Sequence, residues 1–219
     1  MGQTERASGA AVLEAWAAAH RARVLALAGL LLAATLLLGA YTTRHGALPG
    51  EAGLYRGPLG VPGDSVRLAD ASRYLVDLGD PAVALVIVCA VAGLALLTDG
   101  LAGAAMVVAA AGAVVVADLM KRAAGEQSIQ ALPPVAHFPS GHVTFVAAVF
   151  GMAAALAAAG RRGGVAACCV VPVVAIGPAV LVQGGHVASD VAGAYGLAAA
   201  WILACLVAVE RAHRASWWP

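Results

Sequence analysis

The stretch Pro139-Ser140-Gly141-His142 runs straight into the apolar segment Gly141–Ala159, GHVTFVAAVFGMAAALAAA, which contains no Asp, Glu, Lys or Arg. A polar tetrapeptide opening a helix-length apolar run places chemistry at a membrane boundary. The same arrangement recurs at His186-Val187-Ala188-Ser189-Asp190, which opens the apolar stretch ending at Val209. Elsewhere the sequence is built for lipid. Of its 219 residues 62% are hydrophobic and 11% charged, and mean hydropathy is +0.87. A soluble domain carries about 25% charged residues, and an apolar run of roughly 18 or more residues reads as a membrane helix.

Working outward from residue 139 gives six spans, at Val24–Ala40, Pro81–Leu97, Leu101–Met120, Gly141–Ala159, Val165–Val182 and Val187–Val209. The expected fold is an all-α integral membrane bundle of six transmembrane helices. Segment 1–23 precedes it, a Gly- and Pro-rich loop at 41–80 interrupts it, and a tail at 210–219 follows. Within the loop, Asp64-Ser65 suits the cap of a short helix with Leu68, Ala71, Leu75 and Leu78 on one face. Trp217-Trp218 suits a headgroup interface. Cys89, Cys168, Cys169 and Cys205 all lie in apolar stretches without zinc-ligand spacing, so they read as buried small hydrophobes. A net charge of +1 gives no basic field for nucleic acid. The first apolar run is long for a cleaved signal peptide.

Six crossings put both termini, the Asp99 turn and the Arg161-Arg162 turn on one side. Arg21, Arg23, Arg161, Arg162, Arg211 and Arg214 hug span ends there, and the positive-inside rule makes that side cytoplasmic. Lys121, His142 and His186 then share the other, outer face. The Ala-, Val- and Gly-heavy composition accompanies GC-rich bacterial genomes, so the expected location is a bacterial cell membrane.

The chemistry follows from residue types. Free N–H groups at a helix start bind phosphate, aided by the helix dipole. Gly141 permits close backbone approach, and Ser140 supplies a hydroxyl or a cap. His186 and Asp190 are spaced i, i+4, which lets the carboxylate fix the imidazole tautomer and leaves the other ring nitrogen as a nucleophile. Lys121 lies three residues after Asp118 and reads as a local ion pair, a lysine snorkelling to headgroups or a phosphate-binding cation.

These residues resemble the type-2 phosphatidic acid phosphatase superfamily of membrane lipid phosphatases, which shows Lys-x6-Arg-Pro, Pro-Ser-Gly-His and Ser-Arg-x5-His-x3-Asp on a six-span bundle. Lys121 matches the first lysine, Pro139 to His142 the whole second motif, and His186 with Asp190 the end of the third. The resemblance implies attack on phosphorus by His186, protonation of the leaving alcohol by His142, support of His186 by Asp190, and substrate binding by Lys121, Ser140 and Gly141. It implies no metal and no cofactor. The implied activity is hydrolysis of a lipid-linked phosphate monoester or diphosphate through a phosphohistidine, with lipid or polyprenyl phosphate and membrane lipids as partners.

The two motif arginines are missing. Their places fall on Ser128, followed by Ile129, and on Val180, preceded by Ala179. Arg122, Gln127, Gln130, Gln183 and His137 are the nearby replacement donors, while Glu126 opposes anion binding. The alternative to an enzyme is therefore a phosphatase-like protein that binds lipid phosphate, or a membrane subunit. A transporter would want polar or broken helices at mid-membrane, which the second, fourth and fifth spans lack.

Overall fold

The computed structural model describes residues 9–46, 48–51, 66–98, 100–124, 138–159, 162–184 and 186–216. Within these residues the chain is all-helical: α1 Gly9–His45, α2 Val66–Asp77, α3 Pro81–Thr98, α4 Gly100–Ala124, α5 Gly141–Ala159, α6 Gly163–Val182 and α7 Ala188–Ser216. Five of them are long and apolar enough to cross a membrane. The pair Leu68–Asp77 and Ala82–Gly93, bent by 62°, makes a sixth if taken as one span. The expected all-α membrane fold is thus present, with five spans, or six when the bent pair counts as one, and α2 is the short helix expected in the loop.

Each long helix follows the hydropathy; the first runs well past its expected span at both ends, and α7 continues to Ser216, so the expected tail from 210 is helical through that residue. α1 has 37 residues because its Ala-rich start contains no Gly or Pro breaker between Ala10 and Gly29, so helix continues outward from the apolar run. The N-terminal segment is therefore helical from residue 9, and α1 extends to His45 where loop was expected from 41. Asp64-Ser65, Asp99, Arg161 and Trp217-Trp218 lie outside the described residues.

α5 and α7 form the centre. α1 lies along α7, α4 touches both α5 and α7, α3 packs on α4, and α6 packs on α5. Val143, Val146, Val149 and Met152 of α5 are fully buried against Met106, Ile176, Val191 and Leu206. α6 is buried only near its last turns, at Ile176, Gly177, Ala179 and Val180, and its first half faces outward. Cys89 and Cys168 also lie on exposed helix faces, whereas Cys205 is buried, so only part of the cysteine expectation holds. On helices this apolar, exposed faces are what lipid contacts, and a small thiol is at home there.

α6 contains Pro172 and Pro178. A proline lacks the N–H for the helical ladder and its ring crowds the carbonyl four residues back. The Tyr195 hydroxyl enters the opened ladder: it donates to the Val173 carbonyl at 2.6 Å and accepts from the Gly177 N–H at 3.1 Å. Gly177 makes room, since a Cβ there would lie 2.7 Å from that hydroxyl.

At the bundle end far from residue 139, Arg21 of α1 holds Glu210 of α7 with Nη2 at 2.5 and 2.8 Å from the two carboxylate oxygens. The Glu210 side chain is fully buried, while that of Arg21 is 36% exposed. Breaking such a pair from one side leaves a desolvated charge. Arg21→Ala is expected to destabilise the detergent-purified protein by about 3 kcal/mol, the low end for a buried pair because the arginine is partly solvated. Thermal melting checks this, with Glu210→Gln added to Arg21→Ala recovering part of the loss.

Candidate active site

The two polar clusters meet at one end of the bundle. The second cluster supplies the N-terminus of α7. His186 precedes that helix and Asp190 stands in its first turn. Asp190 is completely buried, and its Oδ2 lies 3.2 Å from His186 Nδ1 and accepts the Val187 N–H at 3.3 Å. The His186 side chain is 13% exposed, enough to present its other nitrogen.

The first cluster is fastened to the same residue. The Ser140 N–H donates to the Asp190 backbone carbonyl at 3.2 Å. Phe138, buried just ahead of it, sits between two glycines. A Cβ on Gly39 of α1 would lie 2.7 Å from its ring, and one on Gly193 of α7 would overlap it. The chain therefore enters α5 from a fixed point.

α5 begins at Gly141, and its first backbone bond runs from Thr144 N to the Ser140 carbonyl at 3.0 Å. The N–H groups of Gly141, His142 and Val143 precede that bond, as the first N–H groups of any helix do. The Thr144 hydroxyl donates to the same carbonyl at 2.8 Å. Ser140 does not act as the expected side-chain cap: its Oγ is buried without a hydrogen-bond partner, as is Asp190 Oδ1. Both are the kind of orphaned buried polar atom that calls for an explanation.

Lys121, in the last turn of α4, brings its ammonium to the same place. A Cβ on Gly141 would lie 2.9 Å from Lys121 Nζ. Asp118 does not pair with it, because Arg122 takes that carboxylate at 2.7 Å. Of the readings open for Lys121, a cation at the start of α5 is the one its position fits. His142 points to the α2–α3 elbow, with Nε2 3.5 Å from Asp80 Oδ1. Lys121, Ser140, Gly141, His142, His186 and Asp190 are thus linked through neighbouring contacts at one end of the bundle. Among the described residues no group of three His, Cys, Asp or Glu side chains is placed to hold a metal ion.

No family model matches the sequence, and no curated protein sequence matches it. The crystal structure of a transmembrane PAP2-type phosphatidylglycerolphosphate phosphatase from Bacillus subtilis does match in three dimensions. It superposes with a TM-score of 0.65 over 87% of this chain and 97% of that one, at 16% sequence identity. The chain shares the fold of that phosphatase.

On this phosphatase-type fold the place of the third-motif arginine is a core position. Val180 is 2% exposed, in an apolar cluster with Val143, Val146, Ile176 and Val191. Two replacement donors are engaged elsewhere. Arg122 holds Asp118, and Gln183 Nε2 donates to the Ala69 carbonyl at 2.9 Å and the Ser72 hydroxyl at 2.5 Å. Gln127, Gln130, His137, Ser128 and Ile129 lie outside the described residues. α2 buries only part of the expected face: Leu75 and Leu78 are partly buried, Leu78 packing against the core beside Val76, while the Gln183 bonds draw Ala69 and Ser72 inward and Leu68 stays 51% exposed.

Sequence reasoning missed two carboxylates here, Asp80 and Glu51. Glu51, 6% exposed, accepts from the Ser189 N–H, from the Ser189 hydroxyl at 2.9 Å and from the Leu48 N–H at 2.7 Å. It caps α7 from a distant part of the chain, where a negative charge suits the positive helix end. Pro49-Gly50-Glu51 carries no signal for a partner 138 residues away. Glu51→Ala strands these donors, at an expected cost of about 1–3 kcal/mol in thermal melting, with Glu51→Gln costing less.

Proposed function

We propose that this chain is an integral membrane phosphatase that hydrolyses a lipid-linked phosphate ester through a phosphohistidine on His186. The carrying observation is the double use of Asp190: its carboxylate holds His186 Nδ1 and its carbonyl holds the Ser140 N–H. With Nδ1–H directed at a buried carboxylate, Nε2 is left with a free lone pair, the requirement for a nucleophile. The Asp190 charge then stabilises the cationic ring once Nε2 bonds to phosphorus.

In the first step Nε2 attacks phosphorus, the phosphorus–oxygen bond to the lipid alcohol breaks, and His142 passes a proton to the departing oxygen. In the second, His142 takes a proton from water as the oxygen of that water attacks phosphorus. The phosphorus–nitrogen bond breaks, releasing inorganic phosphate and restoring His186. The non-bridging oxygens carry the transition-state charge. Lys121 Nζ, the N–H groups that open α5 and the orphaned Ser140 hydroxyl are the groups suited to receive them. All belong to this chain, and no step calls for a metal ion or cofactor.

The substrate class is a lipid phosphate whose chain lies against the apolar helices, either a phosphate monoester such as phosphatidate or phosphatidylglycerol phosphate, or a polyprenyl phosphate or diphosphate. The arginine distribution supports cytoplasmic termini and a site on the outer face. The packed Val180 favours a second reading, a lipid-phosphate-binding protein without turnover.

The test is phosphate release by purified protein from a panel of these lipids, with alkali-quenched samples assayed for labelled protein that is stable to alkali and lost in acid. His186→Ala is expected to abolish both release and labelling. Asp190→Asn should lower release about 100-fold, the upper range for losing the carboxylate that orients a functional histidine. Binding of lipid phosphate without release would favour the second reading. Gly141→Ala, whose methyl displaces Lys121 Nζ, is expected to raise the inorganic phosphate concentration needed for product inhibition about tenfold while leaving the melting temperature unchanged, because a lysine tip moves cheaply.

A further inference from the structure

The elbow between α2 and α3 carries a carboxylate onto the second histidine. Asp80 Oδ1 is 3.5 Å from His142 Nε2, across 62 residues of sequence. The preceding residue completes the contact. A Cβ on Gly79 would lie 2.5 Å from His142 Cδ2 and 2.9 Å from both Cβ and Cγ, so only glycine lets the elbow close over this ring. The elbow is itself anchored. Leu78, Gly79 and Asp80 N–H groups bond back to the carbonyls of Leu75, Val76 and Asp77, and the Asp80 carbonyl accepts the Ala84 N–H that starts α3. α2 is in turn held to α6 through Gln183.

Asp80 has an ordinary explanation as the residue that opens α3 ahead of Pro81, since Asp is favoured at a helix start and proline in its first position. In that role the side-chain oxygen turns back to accept an N–H of the first turn. Here the side chain faces an imidazole, and the glycine beside it is shaped to that imidazole. Two carboxylate–histidine pairs therefore stand in the site, and they differ in burial. Asp190 is fully buried beside a His186 side chain that is 13% exposed; Asp80 is 55% exposed beside a His142 side chain that is 34% exposed. A buried pair suits a ring that must stay fixed while it is attacked and released. A solvent-open, longer contact suits a ring that must surrender a proton and recover one from water.

We propose that Asp80 is the positioning residue of His142, holding the ring in the orientation from which it protonates the leaving oxygen. Asp80 stays a carboxylate throughout. The proton passes from His142 to the departing alkoxide and is replaced from the attacking water. The proposal rests on the phosphatase reading above. Among the described residues, the charged groups that contact His142 or the residue before it are Asp80, from the elbow, and Lys121, against Gly141.

Leaving-group dependence tests this, because a poor leaving group needs the proton and a good one does not. Wild type, Asp80→Ala, Asp80→Glu, His142→Ala and the Asp80→Ala/His142→Ala double variant are compared on a long-chain alkyl phosphate and on 4-nitrophenyl phosphate, with melting temperatures recorded for each. A positioned general acid contributes about 100-fold or more. Asp80→Ala is expected to slow single-turnover release of the alcohol from the alkyl ester at least tenfold and to leave single-turnover release of 4-nitrophenol within about twofold, a split in the first chemical step that a general loss of structure would not produce. Asp80→Glu should restore part of the alkyl activity, and the double variant should fall no further than His142→Ala alone. An active wild type whose Asp80→Ala variant loses both esters equally, or neither, overturns the role of Asp80 alone. A folded wild type that releases phosphate from neither ester overturns the phosphatase reading, and the role of Asp80 with it.

Discussion

Asp190 is where the two halves of the site become one object. Its side chain orients His186 and takes the Val187 N–H, while its main-chain carbonyl takes the Ser140 N–H. A buried carboxylate is costly unless its surroundings answer it, and here these contacts come from the turn that starts α7. Glu51 adds a second carboxylate to the same turn through Ser189. The first turn of α7 is therefore over-determined, and it holds the His186 ring in place. The opening of α5 is positioned at second hand, through the Asp190 carbonyl and through Phe138 seated between Gly39 and Gly193.

The bilayer explains why so much of this organisation gathers at one end. Inside hydrocarbon every backbone polar group needs a partner within the protein. The central part of the bundle accordingly uses small residues and few polar side chains. Gly112 admits the Trp201 ring, whose Nε1 donates to the Ala109 carbonyl at 3.2 Å, and Gly196 admits Thr35. The Tyr195 hydroxyl in α6 is the same constraint met at a proline-broken ladder. Polar side chains that can exchange protons or bind anions are left to the ends, where helix termini also offer unpaired N–H groups.

The legible parts of the sequence were those written locally. Apolar run length marked the helices, and the start of α5 at Gly141 and the contact of His186 with Asp190 were legible because a helix start and an i, i+4 pair are short-range features. α1 outran its expected span because hydropathy marks where lipid begins, whereas helix continues as long as Ala-rich sequence allows. The face of α2 was legible only in part: Leu75 and Leu78 turn inward as the apolar stripe predicts, but Gln183 draws the Ala69 carbonyl and the Ser72 hydroxyl to α6, and Leu68 and Ala71 stay exposed. Asp80 and Glu51 were illegible for a different reason. Each makes its decisive contact across 62 or 138 residues, and each stands in sequence as an ordinary Asp-Pro helix start or a loop glutamate.

The missing arginines can be weighed against what occupies their space. A guanidinium at position 180 would enter a packed cluster with Val143, Val146, Ile176 and Val191. Overpacking such a core costs roughly 1–3 kcal/mol before desolvation of the charge is counted. The position is therefore closed to a phosphate-facing side chain, and the apolar contacts of α6 with α5 and α7 now depend on its being so. Lys121 stands against Gly141, at the end of α5 whose peptide dipoles sum to about half a positive charge. A lysine is a compact point charge without the planar fork of arginine, so in the phosphatase reading proposed above directional binding of phosphate oxygens would fall to the backbone N–H groups that open α5. That reading would assign charge to Lys121 and geometry to the helix start, and under it the fastening of Ser140 to Asp190 would matter more than in a site where two arginines share the work of orientation.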